Sequence, residues 1–325
     1  MKMTPPVIAL AILCMMSLCP WAQAETIQVK SPNKTITVTI KINESIQYSV
    51  ALNESVLLKD CEMSMTLGDG AVLGKNASLG QQRTVSRKNT LTPVIRVKSA
   101  EIVDHYTQKT LFFEQGFALI FRVYDDAVAY RFETALGDSI VIKHEAVVYN
   151  FVQDHSLYFP KETSLLTHSE RLYPVVKLSE IPLEDFGGLP ALIAIENGPK
   201  LLITEVDLVD YPGLYLHGTA SPRLEGLFPA VATQEEQTND RTVMVTERAD
   251  YIAKTSGKRT FPWRVCVITQ KDTDLLENQT VYKLSTPCKL KDTTWIKPGK
   301  VAWDWWNACN VYGVDFKSGV NTETY

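Results

Sequence analysis

The chain has 325 residues, 45% of them hydrophobic, and 33 basic side chains against 37 acidic ones for a net charge of −4. That balance leaves no basic stripe for nucleic acid or for an anionic membrane surface. The length suits one large all-β domain or two smaller domains, with hydrophobic content enough for an ordinary globular core.

In chain order, Lys2, the apolar run from Val7 to Leu18 and the small-x-small sequence Ala22-Gln23-Ala24 make the three parts of a secretory leader (residues 1–24), with cleavage expected after Ala24. The run is shorter than the roughly 20 apolar residues a transmembrane helix needs, and no later stretch reaches that length. The expectation is an exported chain without a membrane span. Cys14 and Cys19 each follow a leucine, which argues against a lipid anchor. Beyond the leader remain Cys61, Cys266, Cys288 and Cys309, with no C-x-x-C pair and no neighbouring histidine, so zinc is not expected. In an oxidising compartment Cys266 with Cys288 is the first disulfide to test, and buried free thiols are the alternative.

From Glu25 to about Leu290 the apolar pattern has period two. Thr35-Ile-Thr-Val-Thr-Ile-Lys-Ile42 alternates branched apolar residues with threonine and lysine, the mark of a half-buried strand. Leu119 to Tyr124 and Ala127 to Phe132 are two more strands, joined by Asp125-Asp126 as hairpin turn chemistry rather than a metal site. Arg122 and Arg131 flank that turn and are read as partners across the hairpin. Ser139 to Lys143, Leu201 to Thr204, Arg241 to Thr246 and Trp263 to Thr269 continue the series, and no capped amphipathic run is long enough to predict a helix. Many short strands split by Asn, Asp, Gly and Pro predict a mainly β fold, a large antiparallel sandwich. Lys161 to Gly188 and Thr219 to Asn239 are less regular and read as long loops across it.

After Lys289 the composition changes: Trp295, Trp303, Trp305 and Trp306 cluster near the C-terminus, behind the break at Pro298-Gly299. Lys300-Val-Ala-Trp-Asp-Trp-Trp306 reads as a buried strand, and Asn321-Thr-Glu-Thr-Tyr325 as a capped helix start. Strand, loop and helix start are the opening of a β/α unit. The predicted division is therefore a β domain over residues 25–290 and the start of a second domain over residues 291–325.

The segment Trp295-Ile-Lys-Pro-Gly-Lys-Val-Ala-Trp-Asp-Trp-Trp-Asn307, followed by Tyr312 to Tyr325, resembles glycoside hydrolase family 97. Phe121-Arg-Val-Tyr-Asp-Asp126, Leu201 to Tyr211 and Phe261-Pro-Trp-Arg264 resemble the same family in the same order. The resemblance implies an N-terminal β-super-sandwich packed on a catalytic (β/α)8 barrel, here truncated just past barrel strand one at Val301–Trp306. It implies an exported hydrolase of terminal α-linked sugars in a bacterial periplasm, with an α-linked oligosaccharide as substrate and calcium as cofactor. The Trp-Asp-Trp-Trp-Asn form is more similar to the retaining α-galactosidase branch, with α-glucosidase second.

In the family both catalytic carboxyl groups come from later barrel strands, so the resemblance implies no catalytic residue here and an inactive chain by itself. A sandwich glutamate within a His-Glu-Ala-Ala-Leu-x-Asp-Tyr segment reaches calcium in the family. The matching segment is Thr204-Glu-Val-Asp-Leu-Val-Asp-Tyr211, which makes Glu205 the candidate metal ligand although Thr204, Val206 and Asp207 depart from the pattern. Alternation along the last strand puts Ala302, Asp304 and Trp306 on one face, and a charged Asp304 suits the barrel mouth. Asp304, Trp306 and Asn307 are therefore the candidate substrate-binding residues, a carboxylate for sugar hydroxyls beside an indole for the ring face. Against these stand two plainer readings: core packing for the tryptophans, and a solvated strand-end glutamate at 205. The competing whole-chain function is a non-catalytic carbohydrate-binding β-sandwich, and a purely structural sandwich is the third reading.

Overall fold

Period-two alternation becomes burial strand by strand in the computed structural model, which describes residues 25–240, 242–301, 312–317 and 322–323. The chain opens with β1 (Glu25–Lys30), β2 (Ile36–Ile42), β3 (Ile46–Leu52) and β4 (Ser55–Leu67), each antiparallel to the next. In β2 and β3 every second residue is buried, and the register sets Val38 opposite Val50 and Ile40 opposite Tyr48. Burial of each such aliphatic side chain contributes about 1.5–3 kcal/mol. After the short β5 (Val72–Leu73) come β6 (Leu79–Leu91), β7 (Ile102–Phe113), β8 (Phe117–Val123) and a 24-residue strand, β9 (Ala127–Asn150). The β8–β9 turn is Asp125-Asp126, as expected: Asp125 Oδ1 accepts from the Asn33 amide at 2.9 Å and Asp126 Oδ2 from Asn278 Nδ2 at 3.0 Å.

The later strands are β10 (Ser156–Tyr158), β11 (Lys161–Glu162), β12 (Val175–Lys177), β13 (Phe186–Gly187), β14 (Ala191–Ala194), β15 (Lys200–Val206), β16 (Tyr215–Gly218) and β17 (Arg223–Leu227). Then come β18 (Ala232–Gln237), β19 (Val243–Arg248), β20 (Ala253–Thr260) and β21 (Trp263–Thr269). Strand β9 joins two layers. Its N-terminal half lies between β8 and β21, within a run β6-β7-β8-β9-β21-β15-β14-β10-β12. Its C-terminal half lies between β4 and β17, within β1-β2-β3-β4-β9-β17-β16-β13-β11. One large core, from Ile27 to Ile268, fills the sandwich, and a second cluster of Tyr106, Ile120, Tyr124, Trp263, Val265 and Leu284 lies on the other face of β21.

Some expectations change. The segments read as loops contain β11, β12, β13, β17 and β18, strands of two to six residues that are too short for a period to register. Two short helices, α1 (Asp272–Glu277) and α2 (Thr280–Leu284), come after β21 where none was expected; with about one turn each they show no 3.6-residue pattern, and α2 is held by buried Thr280 and Leu284. Cys61 and Cys266 are buried free thiols, the alternative reading, whereas Cys288 is free and exposed, so the anticipated Cys266–Cys288 disulfide is absent among the described residues. Residues 285–301 carry neither helix nor strand, and Thr322 and Glu323 form a turn. The expected strand beyond Val301, with Asp304, Trp306, Asn307 and Cys309, lies outside the described residues. Among the described residues no helix is long and apolar enough to cross a membrane.

Candidate metal-ligand site at the end of the core

Alternation along three strands sends charge inward. On β21 Cys266 and Ile268 belong to the large core, so Arg264 shares their face; on β15 Glu205 follows the parity of Leu201 and Ile203; on β9 Glu145 follows that of Val147 and Tyr149. The register puts Glu205 directly opposite Arg264. Arg264 forks onto Glu145, with Nε to Oε1 at 2.9 Å and Nη2 to Oε2 at 2.7 Å, and sends Nη1 to Glu205 Oε2 at 2.6 Å. The side chains of Arg264 and Glu145 are 1% and 2% exposed, and Glu205 keeps 12%. The second oxygen of Glu205 accepts the Leu214 amide at 3.0 Å.

Aromatic rings wall the triad. The guanidinium carbon of Arg264 lies 5.0 Å from the Phe228 ring centroid and 5.9 Å from that of Tyr211, and Tyr211 meets Phe261 edge-on at 5.3 Å. Such surroundings lower the local dielectric and strengthen charge-assisted bonds. Burial opposes the charge on Arg264, but Glu145 and then Glu205 outweigh it and hold the guanidinium above its ordinary pKa. Burial likewise raises the Glu205 carboxyl, against the pull of Arg264 and the Leu214 amide. The phenol of Tyr211 is pushed well up by burial, with Glu145 adding to it.

The chain leaving Glu205 is pinned on several sides. Asp207 and Asp210 adopt left-handed backbone at φ 61° and 49°, which aspartate tolerates better than most residues. Asp207 accepts both the backbone amide and the hydroxyl of Thr286, at 2.7 and 2.8 Å. Arg259 donates to the carbonyls of Asp210 and Val209 at 2.8 and 2.7 Å. Asp207, which departs from the family pattern, thus secures the segment after α2. On the opposite face of β21, Arg131 and Arg122 lie 4.3 and 4.9 Å from the Trp263 ring centroid. These two arginines therefore converge on an indole rather than pairing across their hairpin, because like charges gain from a shared π face and not from each other.

Calcium takes six to eight oxygens. Among the described residues no group of three or more His, Cys, Asp or Glu side chains could hold a metal ion. Glu205 fits one place in such a shell: each of its oxygens has one donor, and the carboxylate retains lone pairs for another partner. The sequence singles out Glu205 as a ligand, names Arg264 only as the last residue of the Phe261-Pro-Trp-Arg264 match, and gives no sign of Glu145. The available signal was a single arginine within the otherwise apolar run Trp263-Arg-Val-Cys-Val-Ile268, every residue of which is buried.

The family profile described as the glycosyl-hydrolase 97 N-terminal domain matches residues 29–287. The chain belongs to glycoside hydrolase family 97. Its relatives include the retaining alpha-galactosidase of Bacteroides thetaiotaomicron, 35% identical over 331 residues that cover 97% of this chain and 49% of that protein. The chain thus spans about half the length of this curated relative. The sandwich superposes on a family 97 enzyme from Pseudoalteromonas sp. strain K8 in complex with acarbose, with a TM-score of 0.77 and 19% identity, covering 92% of this chain and 44% of the other. It also matches a beta-arabinopyranosidase with a TM-score of 0.62 and 22% identity, over 74% of this chain and 40% of the other. At those identities the two structures show the sandwich fold and nothing further.

Proposed function

We propose that this chain is the sandwich region of an exported, calcium-dependent retaining α-galactosidase of family 97, acting on terminal α-linked galactose of oligosaccharides in a bacterial periplasm. The observation that carries the reading is 35% identity across 97% of the chain to a retaining alpha-galactosidase. α-Glucosidase activity is the second specificity.

Retaining cleavage uses two carboxyl groups about 5–5.5 Å apart, one attacking the anomeric carbon and one protonating the leaving oxygen, then activating the water that releases the sugar. Both are assigned to the remainder of a longer protein, a barrel beginning near Val301; the chain's 49% share of its relative supports this. Within this chain Glu205 would be a ligand to calcium, its carboxylate held by Arg264 and the Leu214 amide. Bound calcium would supply fixed positive charge for orienting sugar oxygens. Asp304, Trp306 and Asn307 are the proposed sugar contacts: a carboxylate for sugar hydroxyls, an indole for the apolar ring face and an amide for further polar contacts.

The test compares the 325-residue chain with the longer protein that carries it, on aryl α-galactoside and α-glucoside, following the first-formed anomer by proton NMR. The longer protein is expected to hydrolyse the galactoside faster with retention, and the chain alone to show no turnover above background. A glucoside preference, or an inverted first product, would reject the assignment.

A further inference from the structure

We propose that Arg264 and Glu145 are positioning residues that fix Glu205 as a cation ligand and set the charge of its site from inside the core; the inference rests on the calcium reading of Glu205 given above. Charge balance is the first ground. Glu145 already matches Arg264 through two parallel bonds at 2.9 and 2.7 Å, so the pair is neutral in itself. Glu205, bonded to the same guanidinium at 2.6 Å, is a surplus negative charge beside a sealed ion pair. An uncompensated carboxylate at the end of a core is costly. A cation can reach Glu205 only from the side where it keeps its 12% exposure, because Arg264 and Glu145 are closed off at 1% and 2%. A hard divalent cation answers that requirement, and oxygen is the ligand it takes.

Geometry is the second ground. One donor holds each Glu205 oxygen, the Arg264 Nη1 from within the core and the Leu214 amide from the loop, so the carboxylate plane is set before any cation arrives. Arginine is suited to this because its planar fork serves two carboxylates at once, which a lysine ammonium cannot do in the same geometry. Partners of this kind fix ligand orientation, and their loss lowers metal affinity about 10- to 100-fold.

Calcium titration calorimetry on the longer protein carrying this chain, after stripping with a chelator, tests the inference in the parent and in Arg264→Lys, Glu145→Gln and Glu205→Gln, with circular dichroism and metal-free melting as the check on folding. Arg264→Lys and Glu145→Gln are each expected to weaken calcium binding about 10- to 100-fold, and Glu205→Gln at least as much. If Glu205→Gln weakens binding while the other two bind like the parent, Glu205 is a ligand and the positioning role is wrong. If Glu205→Gln itself binds like the parent, the ligand reading falls and the inference with it. Should Arg264→Lys fail to fold, Glu145→Gln decides alone, since it leaves the guanidinium in place and touches no cation ligand.

Discussion

Cys61 and Cys266 lie in the large core, their thiols pushed up to about 12 by burial, while Cys288 stands exposed beyond α2. At pH 8 the two buried thiols are ionised to a fraction on the order of 10⁻⁴, and the thiolate is the reactive form. Iodoacetamide on the native chain at pH 8, followed by peptide mapping, is therefore expected to modify Cys288 and to spare Cys61 and Cys266 until denaturant is added. A non-reducing digest containing a crosslinked Cys266–Cys288 peptide would contradict the structure. At this scale the sequence was least legible. Glu205 stood out only through the family resemblance, and nothing local distinguishes Glu145 in Lys143-His-Glu-Ala-Val-Val-Tyr149 from a solvated charge. Its role depends on a guanidinium 119 positions away, a relation that no local spacing encodes. Trp263 with Arg122 and Arg131 is the same case, three residues from three strands meeting on one face.

Strands were legible in proportion to how one-sided their burial is. β2 and β3 alternate cleanly because each has one core face, whereas β8 and β21 are buried on both faces and read as continuous apolar runs. The long β9 reads as separate pieces, since exposed residues near Gly137 and Asp138 interrupt its pattern. There β9 bulges: Ser256 pairs with Ser139 but Lys258 with Ala135, so residues 136–138 face Gly257 alone. A Cβ at Gly257 would stand 1.8 Å from the Gly137 carbonyl oxygen, while one at Gly137 would meet nothing within 4 Å. Gly257→Ala must push two backbones apart in the strand that joins both layers, and overpacking of this kind costs about 1–3 kcal/mol. Gly137→Ala should stay within about 0.5 kcal/mol of the parent, as surface substitutions do. Urea unfolding of both variants measures the difference, and equal midpoints would mean that the bulge yields more easily than its geometry indicates.

The large core draws side chains from strands between β1 and β21, a second cluster backs the other face of β21, and the β18–β19 hairpin forms a two-stranded sheet of its own. The segment beyond α2 has no such anchorage. Residues 285–301 form no helix or strand, and Trp295 and Val301 are 67% and 85% exposed. Asp207 ties this segment down by its two bonds to Thr286, immediately upstream of the exposed Lys289, Lys291, Lys297 and Lys300. Limited trypsin digestion of the chain is expected to cut first after Lys289, Lys291 or Lys300, since Pro298 blocks the bond after Lys297, and leave a body that keeps the parent melting temperature. The competing site is the strand-free loop bearing Arg96 and Lys98, but Ser99 within it accepts a 2.7 Å bond from Gln279 at the start of α2, which restrains it. Asp207→Gly preserves the left-handed backbone at that position and removes both bonds to Thr286, together with the 3.9 Å ion pair to Arg131. Cleavage after Lys289 should then become several-fold faster, because proteolysis follows the population of the opened segment, with the rest of the digestion pattern unchanged. Intact-mass analysis of timed samples separates the outcomes. A first cut at Arg96 or Lys98 would show that the loop there opens more readily than the segment beyond α2, and an Asp207→Gly variant cleaved at the parent rate would show that Thr286 is not the point from which that segment is held.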